Sequence, residues 1–384
     1  MISNRILSRR LINKNMGYVG MNYQEWISKE TRFYHSPEPL VLESGLILPQ
    51  VTQAYRTWGK LNREGTNAIL ICHALTGSSD ADDWFSGFFG AGCVCDPESK
   101  FILCINVLGS CYGSTGPTSL NPGSNEPYGS DFPSVTVRDM VKAQAQVALS
   151  LGIKSFEVIF GGSLGGMQVL EWAILYPEMV RAIVPIACPA KHSAWAIGLS
   201  EAQRCAIYAD GNWQGGHYYL PYNPPAAGLT TARMIAMCSY RSMASFEKKF
   251  SRRLQDDKRN LFAIESYLRY QGEKLVRRFD ANSYIILSKT MDSHDISRDR
   301  GDTVKEILAE IHQPALVISI TSDLLYWPDE QQELVDNIPN AELVVLDSPH
   351  GHDAFLIDMD FLNRQILRFI NPVAVPKAAI QKVE

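Results

Sequence analysis

The chain has 384 residues, a net charge of −5 and a pI of about 5.9, with 46% hydrophobic and 20% charged residues. That length holds one large α/β domain with an insertion, or two domains, of ordinary soluble composition. The acidic balance argues against a nucleic-acid partner bound through phosphate contacts, and no apolar run reaches the ~18–20 residues that span a bilayer.

Residues 1–24 carry Arg5, Arg9, Arg10 and Lys14 and no acid, with Met16 and Met21 as later start points. They read either as a targeting segment or as a disordered extension, and stand outside the fold. From Glu25 to Lys60 the pattern is β-like: Leu40–Leu42 and Leu46–Trp58 are expected strands joined by the turn Glu43-Ser44-Gly45. Asn67–Leu75 and Phe101–Val107 are continuous apolar runs, which suit strands buried on both faces of a parallel sheet. Each ends in a loop. The second loop, Gly109–Pro133, is long and rich in Gly, Ser and Pro, which usually marks function. A helix is expected over Arg138–Leu151, a strand over Phe156–Phe160 and another over Ala182–Cys188.

Between residues 191 and 313 strand-like runs nearly vanish. Helical periods replace them over Leu229–Ser242, Ser245–Leu254, Asn260–Lys274 and Asn282–Asp292. The alternation then resumes with a strand Ala315–Thr321, a helix Asp329–Asn337, a strand Leu343–Leu346 and a helix Ala354–Ile370. The expected architecture is a doubly wound, mostly parallel α/β core (25–190 and 314–384) interrupted by a helical cap (191–313). The tail from Pro372 reads as a surface end. Eight cysteines (72, 93, 95, 104, 111, 188, 205, 238) show no zinc-ribbon pairing, and several sit in apolar runs. They read as reduced thiols of a cytoplasmic protein without a structural metal.

The chemistry centres on Gly161-Gly162-Ser163-Leu164-Gly165, set between an apolar strand and a helical period. This is the strand–turn–helix of a nucleophile elbow, with Ser163 at the turn and glycines two residues either side, where a Cβ would clash. A Gly-rich phosphate loop is the alternative. The stretch lacks the Lys-Ser/Thr ending of a P-loop and the full dinucleotide fingerprint.

A serine hydroxyl needs a base, and the base an orienting carboxylate. On this architecture the order is serine, acid, histidine, and functional groups collect at the carboxyl ends of strands. That selects Asp323 and His352. Asp329 is the rival acid but is placed as an N-cap. His350 is the rival base; His352 is preferred because it follows Gly351 and directly precedes the last helix. Backbone N–H groups of Leu164 and Leu75 are the expected oxyanion donors, and His73 is given a structural hydrogen-bonding role.

These residues lie in stretches that resemble the homoserine O-acetyltransferase family of the α/β-hydrolase superfamily. The matching segments are 73–77 (HALTG), 106–117 (NVLGSC and GSTGP), 131–133, 138–141, 161–168 (GGSLGGMQ), 279–284 (FDANSY) and 351–356 (GHDAFL). Two positions depart from the family pattern. Leu164 stands where Met is common, which leaves its backbone donor intact, and Thr118 stands where Ser is frequent.

The resemblance implies ping-pong acyl transfer in methionine biosynthesis, with no bound cofactor. Acetyl-CoA, entering a tunnel between core and cap, acylates Ser163, and L-homoserine takes the acetyl group. It also implies an amino-acid site on a cap helix, with Arg233 for the carboxylate and Tyr240 two turns on, and Asp353 for the ammonium. A homodimer through the cap is implied as well. A succinyl donor and a serine acceptor stay open on the same scaffold, because a methylene of acceptor length is worth only ~1–3 kcal/mol of discrimination; ester hydrolysis stays open because the same triad serves it wherever water reaches the acyl-serine.

Overall fold

The computed structural model describes residues 23–371 apart from 257 and 259. The basic extension up to residue 22 and the tail from Pro372 lie outside the described residues.

The central strands of the sheet form where the sequence is a near-continuous apolar run. β1 (Arg32–His35) comes first; β2 (Leu40–Val41) and β3 (Ile47–Leu48) make a small separate hairpin. β4 (Thr52–Trp58) follows. The single strand expected over Leu46–Trp58 is therefore split. Pro49 has no N–H to give a ladder, and the chain turns there before rejoining the main sheet. Then come β5 (Ala68–Cys72), a short helix α1 (Ala81–Trp84), β6 (Phe101–Ile105), α2 (Val137–Ser150), β7 (Phe156–Gly162), α3 (Leu164–Leu175) and β8 (Ile183–Ile186). α2 starts at a capping box, Thr136 and Asp139 each satisfying the other's backbone N–H.

After β8 the chain leaves the sheet for α4 (Ala194–Tyr208), α5 (Ala226–Tyr240), α6 (Met243–Lys249), the ribbon β9 (Leu254–Asp256) and β10 (Leu261–Phe262), α7 (Ala263–Val276), α8 (Ala281–Asp292) and α9 (Val304–Ala309). The ribbon takes Leu254, Leu261 and Phe262, where helix ends were expected. Beta-branched and aromatic content is low there, and no periodic signal reveals two strands of two or three residues. The sheet resumes with β11 (Ala315–Ile320), α10 (Pro328–Asn337), β12 (Ala341–Leu346) and α11 (Met359–Ile370).

The main sheet has eight strands in the order β1-β4-β6-β5-β7-β8-β11-β12. β1, β4 and β6 pair antiparallel; the rest are parallel. β5 shows how one run feeds two cores. Leu70 and Cys72 join one apolar cluster with Met140 and Leu170, while Ile69 and Ile71 join the opposite one with Phe85, Leu362 and Ile366. The return from the helical insertion is tied to the core by charge. Arg138 Nη2 donates to the carbonyls of Asp295 and Arg298, and Arg300 Nη2 meets Glu171 Oε2 at 2.6 Å.

The first part of the long loop after β6 braces β4. Ser114 Oγ donates to Asn106 O and accepts from Ala54 N, and Thr115 bonds Thr52, so residues 110–116 replace missing ladder partners of β4. Neither this loop nor Thr118 reaches the pocket described next.

Candidate active site

β7 delivers Ser163 to the sheet's carboxyl edge, and α3 leads away from it. Ser163 has φ +58° and ψ −125°, a conformation that costs a non-glycine residue about 1–3 kcal/mol. Its N–H is held by Ile186 O at 3.0 Å. The flanking glycines are required: a Cβ on Gly161 would stand 2.4 Å, and one on Gly165 2.2 Å, from the carbonyl oxygen of Cys72. The turn therefore packs directly on the end of β5, which brings Ser163 beside the loop carrying Leu75.

That loop is fixed from behind. His73 Nε2 accepts from Val107 N at 3.0 Å, so its Nδ1 carries the proton and donates to Ala74 O at 2.8 Å. Ala74 O also accepts from Gly77 N at 2.9 Å. In a trans peptide the N–H points opposite to the C=O. Two donors on Ala74 O thus turn the Leu75 N–H away from them, and Ala74, Leu75 and Thr76 line the same pocket as Ser163. Burial drives the His73 imidazole down to about 4, the Ala74 bond opposing only weakly, so it is neutral at physiological pH. Gln168 Nε2 donates to His73 O and to Leu164 O, coupling this loop to the first turn of α3. The Leu164 N–H lies in that first turn, where backbone donors have no partner within the helix.

Asp323 follows β11 and His352 lies in a 3₁₀ turn, Gly351–Leu356, after β12. His352 Nδ1 meets Asp323 Oδ2 at 2.7 Å, and Asp323 Oδ1 accepts from Leu325 N at 2.8 Å and Tyr326 N at 3.0 Å. Both side chains are buried. Burial pushes the His352 imidazole down, but the Asp323 carboxylate outweighs it and holds His352 above its ordinary value. His352 and Ser163 line one pocket, with no hydrogen bond between them among the described residues. The expected helix over Ala354–Ile370 begins later, at Met359, because residues 351–356 form the tight turn that aims His352. Asp329 is not an N-cap: Trp327 holds that place, Glu330 caps it, and Asp329 is exposed.

The pocket, of about 60 Å³, is completed by Arg233, Tyr240, Asp353, Phe355 and Leu356. Arg233 and Tyr240 share a face of α5: the guanidinium carbon is 5.3 Å from the Tyr240 ring centre, and that ring is 5.7 Å from His352. No hydrogen bond or ion pair engages Arg233 among the described residues. Among the described residues Asp353 has one ion pair, with Arg241 Nε at 3.1 Å. Its burial raises the carboxyl above its usual range, against the pull of Arg233 and Arg241. Arg241, Gln168 and Arg278, whose Nη1 donates to Thr76 O at 2.8 Å, were not expected near the site. Arg241 stands next to Tyr240 at a helix end and Gln168 closes the stretch 161–168, which offered hints for both; nothing in the sequence marked Arg278.

Residues 67–358 match the family model of the alpha/beta hydrolase fold. A homoserine O-acetyltransferase of Trichormus variabilis is 57% identical over 91% of this chain and 96% of its own length; one from Chloroherpeton thalassium is 55% identical over 91% of each. The chain belongs to the homoserine O-acetyltransferase family. Among solved structures, the homoserine O-acetyltransferase of Bacillus anthracis superposes with a TM-score of 0.82 at 25% identity, covering 90% of this chain and 98% of that one. Esterase E22 gives 0.80 at 26%, covering 89% and 99%. The family's scaffold is thus shared by transferases and esterases, and the fold alone does not separate them.

Proposed function

We propose that this chain transfers an acetyl group from acetyl-CoA to the hydroxyl of L-homoserine through an acetyl-serine, supplying methionine biosynthesis. His352 takes the proton of Ser163 as its oxygen attacks the thioester carbonyl. The N–H groups of Leu75 and Leu164 receive the oxyanion. Collapse breaks the C–S bond, and His352 returns the proton to the CoA thiolate. Homoserine then occupies the vacated space. Arg233 receives its carboxylate, Asp353 its ammonium, and the Tyr240 ring packs between them and His352. His352 now deprotonates the acceptor hydroxyl, which attacks the acetyl carbonyl; Ser163 leaves, reprotonated by His352. Asp323 keeps the imidazole in the required tautomer and stabilises its cation throughout.

The observation that carries this reading is an unpaired arginine and a carboxylate sharing one small pocket with Ser163 and His352. A zwitterionic acceptor answers both charges; a plain ester leaves a half-buried guanidinium unanswered. Relatives at 50–57% identity are named for the same transfer. Incubation with acetyl-CoA and homoserine should yield O-acetylhomoserine faster than free acetate. Acetate as the main product, with or without homoserine, supports the esterase reading instead.

The chain divides in this reading into a core, 25–190 and 314–384, and a cap, 191–313. A homodimer through the cap is part of the proposal, supported by exposed Met243, Tyr270 and Tyr208 on its helices. Light scattering at micromolar concentration tests it, a monomer mass counting against it. A cytoplasmic location is proposed from the eight unpaired thiols, which a reducing compartment preserves.

A further inference from the structure

We infer that Arg241 is a positioning residue for the second half-reaction: it sets a positive charge against Asp353 and so holds that carboxylate for the acceptor's ammonium without occupying its hydrogen-bonding positions. The inference rests on the proposed role of Asp353.

Arg241 ends α5, directly after Tyr240, its N–H bonded to Met237 O. This helix end is sewn to the loop that carries His352 and Asp353. Ser242 Oγ donates to Pro349 O. Gly351, at φ +68°, packs so tightly that a Cβ there would stand 2.7 Å from Ser242 N and 2.9 Å from Tyr240 O. The Arg241 side chain is therefore delivered to Asp353 by backbone packing. Its Nε reaches 3.1 Å from Asp353 Oδ2, with the two side chains 21% and 16% exposed. Yet that nitrogen makes no hydrogen bond, because the approach is off the N–H direction. Among the described residues no hydrogen bond uses the Asp353 carboxylate at all. Arg241 thus supplies positive charge, while the lone pairs of Asp353 stay available to a donor such as a primary ammonium.

The charge is needed. Arg233, Arg241, His352, Asp323 and Tyr240 are the titratable groups near enough to act on the charge of Asp353. Burial favours its neutral form and Asp323 adds to that effect. Arg233 is committed to the acceptor's carboxylate and is neutralised by it once homoserine binds. Since His352 must be neutral to accept the proton of the acceptor hydroxyl, Arg241 is then the permanent cation that remains beside Asp353. Without it, Asp353 takes up a proton more readily and loses its attraction for an ammonium.

The test separates the half-reactions of the full-length enzyme. Arg241→Met should be acylated by acetyl-CoA at a rate within about twofold of wild type, while homoserine discharges the acetyl-enzyme at least about tenfold less efficiently, mainly through KM. Discharge by 4-hydroxybutyrate, which keeps hydroxyl and carboxylate but has no amine, should be equal in the two enzymes. Arg241→Lys should recover most of the loss. Equal loss with both acceptors, or equal loss in both half-reactions, would mean that Arg241 is merely structural and overturns the inference. Asp353→Asn serves as the control. If it discharges homoserine normally, the reading of Asp353 itself is wrong; if it fails while Arg241→Met is normal, only the inference about Arg241 falls.

Discussion

Replacing Asp323 with Asn removes one charge and little else. The carboxylate stands 2.7 Å from His352 Nδ1, and its other oxygen accepts two backbone N–H groups. An Asn oxygen can satisfy those two, which turns its NH₂ toward His352 and forces the imidazole to present a lone pair at Nδ1. The proton then sits on Nε2, the atom that must accept one from Ser163. At an effective dielectric constant near 20, a unit pair at this separation is worth roughly 6 kcal/mol. His352 is 3% and Asp323 4% exposed, so solvent screens little of it. The wrong tautomer in a comparable triad costs on the order of 10⁴ in turnover, or roughly 5.5 kcal/mol, which agrees with the charge estimate. Stopped-flow acylation by acetyl-CoA should therefore slow by about four orders of magnitude, with thermal stability nearly unchanged. The pH profile supplies a second reading. In wild type the acylation rate should rise with pH through a midpoint above 6.5, because Asp323 holds His352 above that value. In Asp323→Asn the residual rate should have its midpoint lower, since burial then acts alone. A variant keeping a tenth of wild-type activity, or an unmoved midpoint, refutes the assigned role of Asp323.

Other substitutions probe separate parts of the site. Arg233→Met should raise the KM for homoserine at least about tenfold and leave acylation intact, since a fork on the acceptor carboxylate is lost; half-reaction rates check this. Gly165→Ala sets a Cβ 2.2 Å from Cys72 O, so it should lower stability by about 3 kcal/mol or prevent folding, as denaturant melts would show. His73 has a folded value near 4, below the 6.5 expected when unfolded. The unfolded chain therefore binds the extra proton, and the stability that wild type gains from His73 is present above pH 6.5 and lost as pH falls toward 4. The stability gap between wild type and His73→Asn should narrow over that window by about 3 kcal/mol; a constant gap in pH-dependent melts contradicts a neutral, buried His73.

What the sequence made legible follows from its physics. Ser163 was readable because the strand, two obligatory glycines and the helix are contiguous, and the clash with Cys72 O shows why both glycines are needed. Asp323 and His352 were readable because parallel strands deliver their carboxyl ends to one edge, so position along the chain becomes position in space. Asp329 was misplaced because a Pro-led helix can take its N-cap from Trp327, whose indole caps nothing, and leave the work to Glu330. Leu254, Leu261 and Phe262 were misread as helix ends because a ribbon this short leaves no periodic trace. In the loop after β6, Ser114 and Thr115 take up the free backbone N–H groups of β4 with their hydroxyls, a pairing no local pattern announces. Arg241 and Gln168 act across the fold, through contacts to residues more than 90 positions away; their roles exist only once cap and core are assembled.

The central claim is that Ser163 carries an acetyl group between a thioester and an amino-acid hydroxyl. Intact-mass spectrometry on the full-length protein tests it most directly. Mixing with acetyl-CoA should add one acetyl mass, located on Ser163 and absent from Ser163→Ala, and homoserine should remove it far faster than water or serine does. No adduct, an adduct that survives in Ser163→Ala, or one discharged as fast by water as by homoserine would contradict the account.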